Sequence, residues 1–193
     1  MRTILATAGL ALALASTAAC GKAEASTSRS REERGKYIVN TAGCHDCHTP
    51  WKMGEKGPQP DMTRMLSGHP EGVVMAEPTL PPGQWAGGPT NTSFKGPWGT
   101  SFTANLTPDV NTGLGIWTEE MFLRAIRDGR HMGQSRPILP PMPWPVYRNL
   151  TDEDLQSIFA FLQTIPAVKN KVPDPVVPAP APAVPAVVAG QQH

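Results

Sequence analysis

Several features that define large classes of protein are scarce in this sequence. Only 3 of the 193 residues are cysteine, and an odd number cannot form a fully paired disulfide framework. The 17 basic and 16 acidic side chains nearly balance, so the composition gives no sign of the basic surface that binds nucleic acid. No segment alternates apolar and polar residues over several positions, as a half-buried strand would. We therefore expect no disulfide scaffold, no nucleic-acid partner and no regular half-buried strands.

Proline and glycine are abundant instead, with 22 and 18 residues. Residues 49–104 alone contain nine prolines and nine glycines, which argues against a regular helix or the centre of a sheet. A loop of this length in a compact domain is usually functional or disordered. The three tryptophans and two phenylalanines of this segment favour a packed loop over a flexible linker. We predict a long Pro/Gly-rich loop inserted in the domain.

The first nineteen residues predict an export signal. Arg2 supplies the positive charge, residues 4–15 are apolar, and the apolar run is too short to span a membrane comfortably. Residues 17–21 resemble the lipobox of bacterial lipoproteins, in which the cysteine is acylated and becomes the new N-terminus. This interpretation makes Cys20 the lipidation site and anchors the mature chain to a bacterial membrane, outside the cytoplasm. The alternative is cleavage after Ala25, which would leave a periplasmic protein without an anchor.

Three segments carry the signals of helices. Ser30 begins a capping box with the glutamate three residues later. Thr118 is expected to cap a second helix with Gly129 at its end, and Thr151 a third helix that ends before Pro166. The apolar residues of the last two helices recur at helical spacing: Met121, Phe122, Ala125 and Ile126, then Leu155, Ile158, Phe159 and Leu162. These patterns predict a mostly helical domain, and we assign it to the all-α class.

The chain divides into four predicted parts. Residues 1–19 are the signal peptide of lipoprotein type, and residues 20–29 are a small, polar tether. Residues 30–170 form the domain. Residues 171–193 are a tail rich in proline, alanine and valine, which we expect to be disordered and extended in polyproline-like conformations.

Two cysteines three positions apart, Cys44 and Cys47, are followed directly by His48. This is the attachment pattern of a c-type haem. One helical turn brings both sulfurs to the two vinyl groups at the porphyrin edge, and His48 then faces the iron as an axial ligand. A zinc site would need a fourth ligand, normally from a second cysteine pair, and a redox dithiol would need a βαβ context. We therefore predict one covalently bound haem c.

The second axial ligand decides whether such a haem carries electrons or binds small ligands. Met142 lies within residues 140–143, where three prolines restrict the backbone and lower the entropy cost of presenting a thioether. A thioether ligand fills the site and raises the reduction potential, which suits electron transfer. The competing candidates are His131 and Met132, and Met142 as a packing residue of the core is the other interpretation. We predict that His48 and Met142 are the axial ligands.

Four segments together resemble a class I cytochrome c domain: Gly43–His48, Ala104–Asp109, Thr112–Thr118 and Pro140–Pro143. Over about residues 30–168 the sequence resembles the cytochrome subunits of bacterial membrane-bound alcohol and aldehyde dehydrogenases. This resemblance implies an all-α class I cytochrome c fold, haem c, and ligation by His48 and Met142. In that fold the first and last helices cross, and Gly35 would permit close approach to the face of Leu155 and Phe159. The alternative is a glycine that the helix merely tolerates. Such subunits resemble three of these domains in tandem, whereas this sequence contains one attachment motif.

Together these observations predict a monohaem c-type cytochrome that is not an enzyme and has no small-molecule substrate. It would pass single electrons between redox protein partners in the periplasm, from a lipid anchor on the membrane. Two other functions stay open. One is a haem enzyme or gas sensor with an open sixth position on the iron, which ligation by Met142 would exclude. The other is a cytochrome subunit of a dehydrogenase or oxidase complex.

Overall fold

Five helices and five short strands are present in the computed structural model, which describes residues 29–74 and 78–178. The helices are α1 (29–41), α2 (Cys44–His48), α3 (Glu119–Asp128), α4 (Trp144–Tyr147) and α5 (Asp152–Leu162). The strands are β1 (Trp51–Gly54), β2 (Gly57–Pro60), β3 (Ala86–Gly87), β4 (Ser93–Gly96) and β5 (Gly99–Phe102). None of these helices is long and apolar enough to cross a membrane. The predicted signal peptide, Cys20 and residues 179–193 of the predicted tail lie outside the described residues.

The prediction of an all-α fold is wrong, because two antiparallel sheets lie between α2 and α3. β1 pairs with β2 in one sheet, and the order β3-β4-β5 forms the other. All five strands fall within residues 49–104, the segment that was predicted to be a long loop. Each strand has only two to four residues, too few for an alternation of apolar and polar side chains to be visible. The domain is therefore a mixed structure of helices and small sheets.

Glycines close both tight hairpins of these sheets. Gly54 pairs with Gly57 across one two-residue connection, and Gly96 pairs with Gly99 across the other. Gly57 and Gly99 have φ angles of 108° and 98°, in a region that L residues rarely adopt. The glycines that predicted a loop are thus the residues that turn one strand back onto the next.

The apolar core lies between α1, α3 and α5. Its buried side chains include Ile38 and Val39 of α1, Phe122 and Ile126 of α3, and Leu155, Ile158, Phe159 and Leu162 of α5. A β-carbon at Gly35 would collide with the carbonyl oxygen of Ser157 in α5. The prediction that Gly35 allows the first and last helices to approach closely is confirmed, but the predicted face is wrong: the contact lies at Ser157 and Phe161, and Leu155 and Phe159 face the apolar core.

The predicted caps of α3 and α5 are confirmed. The hydroxyl of Thr118 accepts from the backbone N–H of Met121 at 3.2 Å, and Gly129 ends α3 with a φ of 64°. The hydroxyl of Thr151 accepts from the backbone N–H of Asp154 at 3.1 Å. The first predicted cap is wrong, because residues 29 and 30 are already helical.

Asn170 fastens the end of the domain to the 49–104 segment. Its buried side-chain nitrogen donates to the carbonyl oxygens of Ser67 and His69, at 2.6 and 2.8 Å. Its side-chain oxygen accepts from the backbone N–H of Glu71 at 2.8 Å and from the Arg64 guanidinium at 3.1 Å. One amide thus satisfies four polar groups of a segment that has little regular structure.

The first eight residues of the predicted tail, 171–178, lie in the described part of the chain, and Val176 extends the second sheet. The backbone N–H of Val176 donates to the carbonyl oxygen of Thr100 at 2.9 Å, and the N–H of Thr100 donates back at 2.7 Å. The outer edge of β5 is therefore paired at this position, where an unpaired edge would expose backbone groups.

Candidate haem-attachment site

The two motif cysteines lie one turn apart on the short helix α2. Gly43, with a φ of 76°, precedes the helix and turns the chain from α1 into it. Cys44 and Cys47 are both half-buried and unpaired. Residues three apart on a helix point to the same side, so α2 presents two thiols together. This is the arrangement that the sequence predicted for two thioether bonds to one porphyrin edge.

His48 has the hydrogen bonding of a metal ligand. Its ring is buried, and Nδ1 lies 2.8 Å from the carbonyl oxygen of Ala104. A carbonyl oxygen can only accept, so Nδ1 carries the proton and Nε2 keeps its lone pair. Nε2 is buried and has no hydrogen-bond partner among the residues that the structure describes. A histidine that donates one ring N–H to a carbonyl and leaves the other nitrogen free is the usual form of a metal-bound imidazole.

The surroundings of His48 also keep its ring neutral. Burial lowers the pKa of His48, and the hydrogen bond to Ala104 opposes this shift without reversing it. A neutral ring is the form that binds iron, because the protonated form has no free lone pair. An unsatisfied buried nitrogen costs about 1–3 kcal/mol, and a bond to a metal would offset that cost. The residues present therefore fit a haem iron at Nε2.

The cysteines do not have the electrostatic surroundings of a reactive dithiol. Burial raises the pKa of the Cys44 thiol to about 11, and burial also raises the pKa of Cys47. Reactive and redox-active cysteines have lowered pKa values instead, because the thiolate is the attacking species. Within residues 29–74 and 78–178, no group of three or more His, Cys, Asp or Glu side chains is placed to hold a metal ion. Neither the dithiol nor the zinc alternative gains support from this part of the chain.

The 49–104 segment braces α2 through backbone carbonyls. The carbonyl oxygen of Asp46 accepts from the Trp51 indole N–H at 3.0 Å and from the Asn91 side-chain amide at 2.7 Å. The carbonyl oxygen of His48 accepts from the backbone N–H of Gly68 at 2.8 Å. The last carbonyls of a helix have no partner inside it, so these donors complete the hydrogen bonding of α2. Nothing in the sequence near α2 points to Asn91, which lies more than forty residues away.

Tyr147 joins the attachment helix to the region after the predicted methionine ligand. Its hydroxyl donates to the carbonyl oxygen of Ala42 at 2.6 Å, two residues before Cys44. Burial raises the pKa of Tyr147, which keeps the hydroxyl protonated and able to donate. Tyr147 ends α4, the helix that follows Met142. The sequence alone does not point to Tyr147, because its partner is more than a hundred positions away.

The structure places Met142 on the same core as the attachment helix. Met142 and Cys44 are both partly buried and pack against the apolar core of α1, α3 and α5. In the described part of the chain, Met132 is not among the side chains packed there. It lies in the 3₁₀ turn His131–Gly133 with a φ of 54°, and the His131 ring packs edge-on against Trp117, with centroids 5.2 Å apart. Met65 packs on the same core, and contact with the core suits a packing methionine as well as a ligand, so ligation by Met142 stays a prediction.

The fold and the site thus describe a small domain with the attachment helix of a c-type cytochrome. No protein-family model matches the chain. It is 31% identical over 146 residues to the cytochrome c subunit of the quinone alcohol dehydrogenase of Gluconobacter oxydans (strain 621H), which covers 74% of this chain and 23% of that protein. It is 28% identical over 157 residues to the fructose dehydrogenase cytochrome subunit of Gluconobacter japonicus. That match covers 78% of this chain and 26% of the relative. It is 28% identical over 152 residues to the gluconate 2-dehydrogenase cytochrome c subunit of Pantoea cypripedii. That match covers 79% of this chain and 27% of the relative.

The chain is therefore a relative of the cytochrome c subunits of bacterial dehydrogenases, and the predicted resemblance is confirmed. It spans about a quarter of the length of these relatives. All three relatives are named as cytochrome subunits, and none is named as a haem enzyme or a gas sensor. The number of haems and the lipid anchor are not decided by these similarities.

Proposed function

We propose that this chain is a monohaem c-type cytochrome that carries single electrons between redox proteins outside the cytoplasm. The observation that carries the proposal is His48, whose Nδ1 is held by the Ala104 carbonyl while the buried Nε2 has no partner. This nitrogen lies one residue after the second of two unpaired cysteines on a single helix turn. Covalent attachment of a haem needs these features together: two free thiols on one helix turn and an adjacent histidine with a free ring nitrogen.

The residues divide the work of holding and tuning the haem. Cys44 and Cys47 would hold the haem through thioether bonds, and His48 would bind its iron. A bound haem supplies a metal centre that accepts and releases one electron between its ferric and ferrous forms. Ala104 holds the His48 ring in one tautomer and orientation through the 2.8 Å hydrogen bond. A fixed ring limits the rearrangement that accompanies each electron transfer.

Met142 is proposed as the distal ligand. Its thioether is partly buried on the apolar core, and the prolines around it leave the backbone few alternative conformations. Neutral sulfur stabilises ferrous over ferric iron, which raises the reduction potential. It also closes the sixth position against small molecules, so the protein would transfer electrons without activating a substrate.

The proposed location follows from the N-terminal sequence. Residues 1–19 direct export, and acylation of Cys20 anchors residues 30–170 to the membrane through a short tether. Haem is attached to c-type cytochromes after export, so the proposed compartment agrees with the proposed cofactor. The similarity to dehydrogenase subunits makes a membrane-bound dehydrogenase one redox partner that we propose to test.

The three cysteines allow a test in which each variant separates one part of the proposal. The chain would be produced in a bacterium that matures c-type cytochromes, with its own N-terminus. Denaturing electrophoresis with a haem-peroxidase stain should give a band for the parent and for Cys20→Ser. The Cys44→Ala/Cys47→Ala double variant should give none. Intact mass should show one haem per chain. A parent without stained haem contradicts the proposed function.

The same preparations test the anchor. The parent should sediment with membranes and carry a lipid at residue 20, because each buried CH₂ of a lipid chain contributes about 0.8 kcal/mol to membrane binding. Cys20→Ser should leave the membrane fraction or accumulate unprocessed. Recovery of the parent in the periplasmic fraction, with an N-terminus other than Cys20, contradicts the anchor and leaves the haem assignment standing.

A further inference from the structure

A single short stretch of chain touches the segments of both proposed iron ligands. At its end, the carbonyl oxygen of Ala104 accepts from the His48 ring at 2.8 Å. At its start, the hydroxyl of Ser101 in β5 donates to the carbonyl oxygen of Pro140 at 2.6 Å, two residues before Met142. Resting on the proposed function, we propose that Ser101 is the positioning residue that holds the Met142 segment against the distal side of the haem.

The hydrogen bonding around Ser101 directs its proton toward Pro140. A serine hydroxyl has one proton to donate. Its two possible acceptors are the carbonyl oxygens of Pro140, at 2.6 Å, and Phe94, at 3.4 Å. The Trp98 indole N–H lies 3.3 Å from the same hydroxyl and can only donate to it. The short contact to Pro140 is therefore the bond that the hydroxyl makes.

The sequence of the Met142 segment explains why a side chain has to supply this donor. Three of the four residues 140–143 are prolines, which have no backbone N–H to join a helix or sheet. The segment is fastened on one side where the Ile138 N–H donates to Gly129 at 2.8 Å. On the other side, the Pro143 carbonyl accepts from Val146 at 2.9 Å. The Ser101 hydrogen bond lies between these two anchors.

Ser101 itself stands on a well-supported strand. Its neighbour Thr100 is hydrogen-bonded to Val176, and Ser101 pairs with Phe94 of β4 in the antiparallel register. Ser101 is 8% exposed, so water competes little for its hydroxyl. A positioning group works best when its own position is fixed by surrounding structure. The three-stranded sheet supplies that support here.

The test compares two serine variants that remove the same kind of bond. Ser101→Ala deletes the hydrogen bond to Pro140. Ser157→Ala deletes a bond of equal length, 2.6 Å to the Glu153 carbonyl, within α5 and away from the Met142 segment. Both would be made in the holoprotein, and cyanide would be titrated into the ferric form by absorbance. The reduction potential and the thermal midpoint would be measured in parallel.

We expect Ser101→Ala to bind cyanide about fivefold more tightly than the parent. This factor corresponds to the loss of one net hydrogen bond that favours the form closed by Met142. Its reduction potential should fall, because the thioether is held less firmly. Ser157→Ala should leave both haem measurements unchanged. Trp98→Phe, which frees the hydroxyl to turn toward Phe94, should change cyanide affinity in the same direction by a smaller factor. It serves as the test if Ser101→Ala does not accumulate.

Met142→Ala distinguishes failure of this inference from failure of the proposed ligation. If Met142→Ala binds cyanide as weakly as the parent, Met142 is not the ligand and the proposed ligation fails. If Met142→Ala opens the site while Ser101→Ala and Trp98→Phe behave like Ser157→Ala, the ligation stands. In that case Ser101 has only a structural role, and the inference is overturned.

Discussion

The helical core and the 49–104 segment are held together by different forces. In the core, α1, α3 and α5 meet through buried aliphatic and aromatic side chains. Among its described residues, the 49–104 segment buries few apolar side chains: Leu66, Phe94, Pro50 and Pro70. The buried side chains that it contributes are mostly polar: Thr49, Ser67, His69, Thr92, Ser93, Thr100 and Ser101. One half of the domain is a small apolar core, and the other is a network of hydrogen bonds.

This difference assigns the two halves different tasks. Apolar burial is non-directional and scales with area, so it stabilises the fold without fixing single atoms. Hydrogen bonds depend on distance and angle, so they can place one carbonyl or one ring nitrogen. The carbonyl that orients His48 and the hydroxyl that holds Pro140 both come from the polar half. We infer that the helices supply most of the stability and that the 49–104 segment supplies the geometry of the haem site.

The largest expected effect is a cavity in the helical core. Leu155 is 1% exposed, and Leu155→Ala should lower the free energy of unfolding by about 4 kcal/mol, since it removes buried methyl groups and leaves a void. Chemical denaturation of the holoprotein measures this loss. Val146→Ala is the matched control, because Val146 is 65% exposed and its truncation should change stability by less than about 0.5 kcal/mol. Equal losses in the two variants would show that the helical core is not the main source of stability.

Removing a hydrogen-bonding side chain of the polar 49–104 network should lower stability somewhat less than Leu155→Ala does. It should shift the reduction potential of the haem more. Asn170→Ala leaves the carbonyls of Ser67 and His69 without their donor, and we expect a loss of about 3 kcal/mol. Because Ser67 and His69 flank the Gly68 that bonds to His48, the reduction potential should also shift. Voltammetry of Asn170→Ala and Leu155→Ala, under conditions where equal fractions are folded, compares their reduction potentials. A potential that shifts more in Leu155→Ala contradicts the division of tasks.

Protonation of His69 at low pH should destabilise the 49–104 segment. Its ring is buried between the Thr92 hydroxyl and the Val73 carbonyl, at 2.9 Å each, and burial lowers the pKa of His69. The unfolded chain therefore binds a proton before the folded chain does, so stability is full above about pH 6.5 and falls as the pH drops toward the lowered pKa. His69→Gln should reduce this dependence on pH in denaturation curves. The reduction should be partial, because burial also lowers the pKa of His131. If the stability of His69→Gln depends on pH as strongly as that of the parent, His69 is not a source of the pH dependence.

The smallest effect should come from the edge of the second sheet. Val176→Pro removes the N–H that donates to Thr100, and we expect a loss of about 1 kcal/mol. Hydrogen exchange of the Thr100 amide, which bonds to the Val176 carbonyl, should become faster. Val177→Pro, at the exposed next residue, is the control. Unchanged exchange at Thr100 in Val176→Pro would mean that the bridge does not protect this edge.

The parts of the fold that were predictable depend on neighbours within a few residues. The Thr118 and Thr151 caps each act on an N–H three residues ahead, so the sequence displays both partners together. The sheets depend on pairs that are locally invisible, because short strands carry no period and glycine favours a turn and a loop equally. The bridge from Thr100 to Val176 joins residues 76 positions apart. The all-α assignment failed because strands of two to four residues show no apolar–polar period, even though the partners in both tight hairpins lie close in sequence.

The candidate site divides in the same way. Cys44, Cys47 and His48 could be predicted because the attachment chemistry requires them within one helix turn. Asn91, Ser101 and Tyr147 could not, because their partners are between 39 and 105 positions away. Such residues are ordinary polar side chains until the fold brings a carbonyl to them.

The central claim is that Met142 closes the haem as its distal ligand, and one titration tests it most directly. Carbon monoxide would be added to the ferrous forms of the parent, Met142→Ala and Met132→Ala, and binding would be followed by the shift of the main haem absorption band. We predict that Met142→Ala binds carbon monoxide readily, because its sixth position is open, while the parent and Met132→Ala resist it. Rapid binding to Met132→Ala, with Met142→Ala behaving like the parent, would contradict the account and move the ligand ten residues upstream.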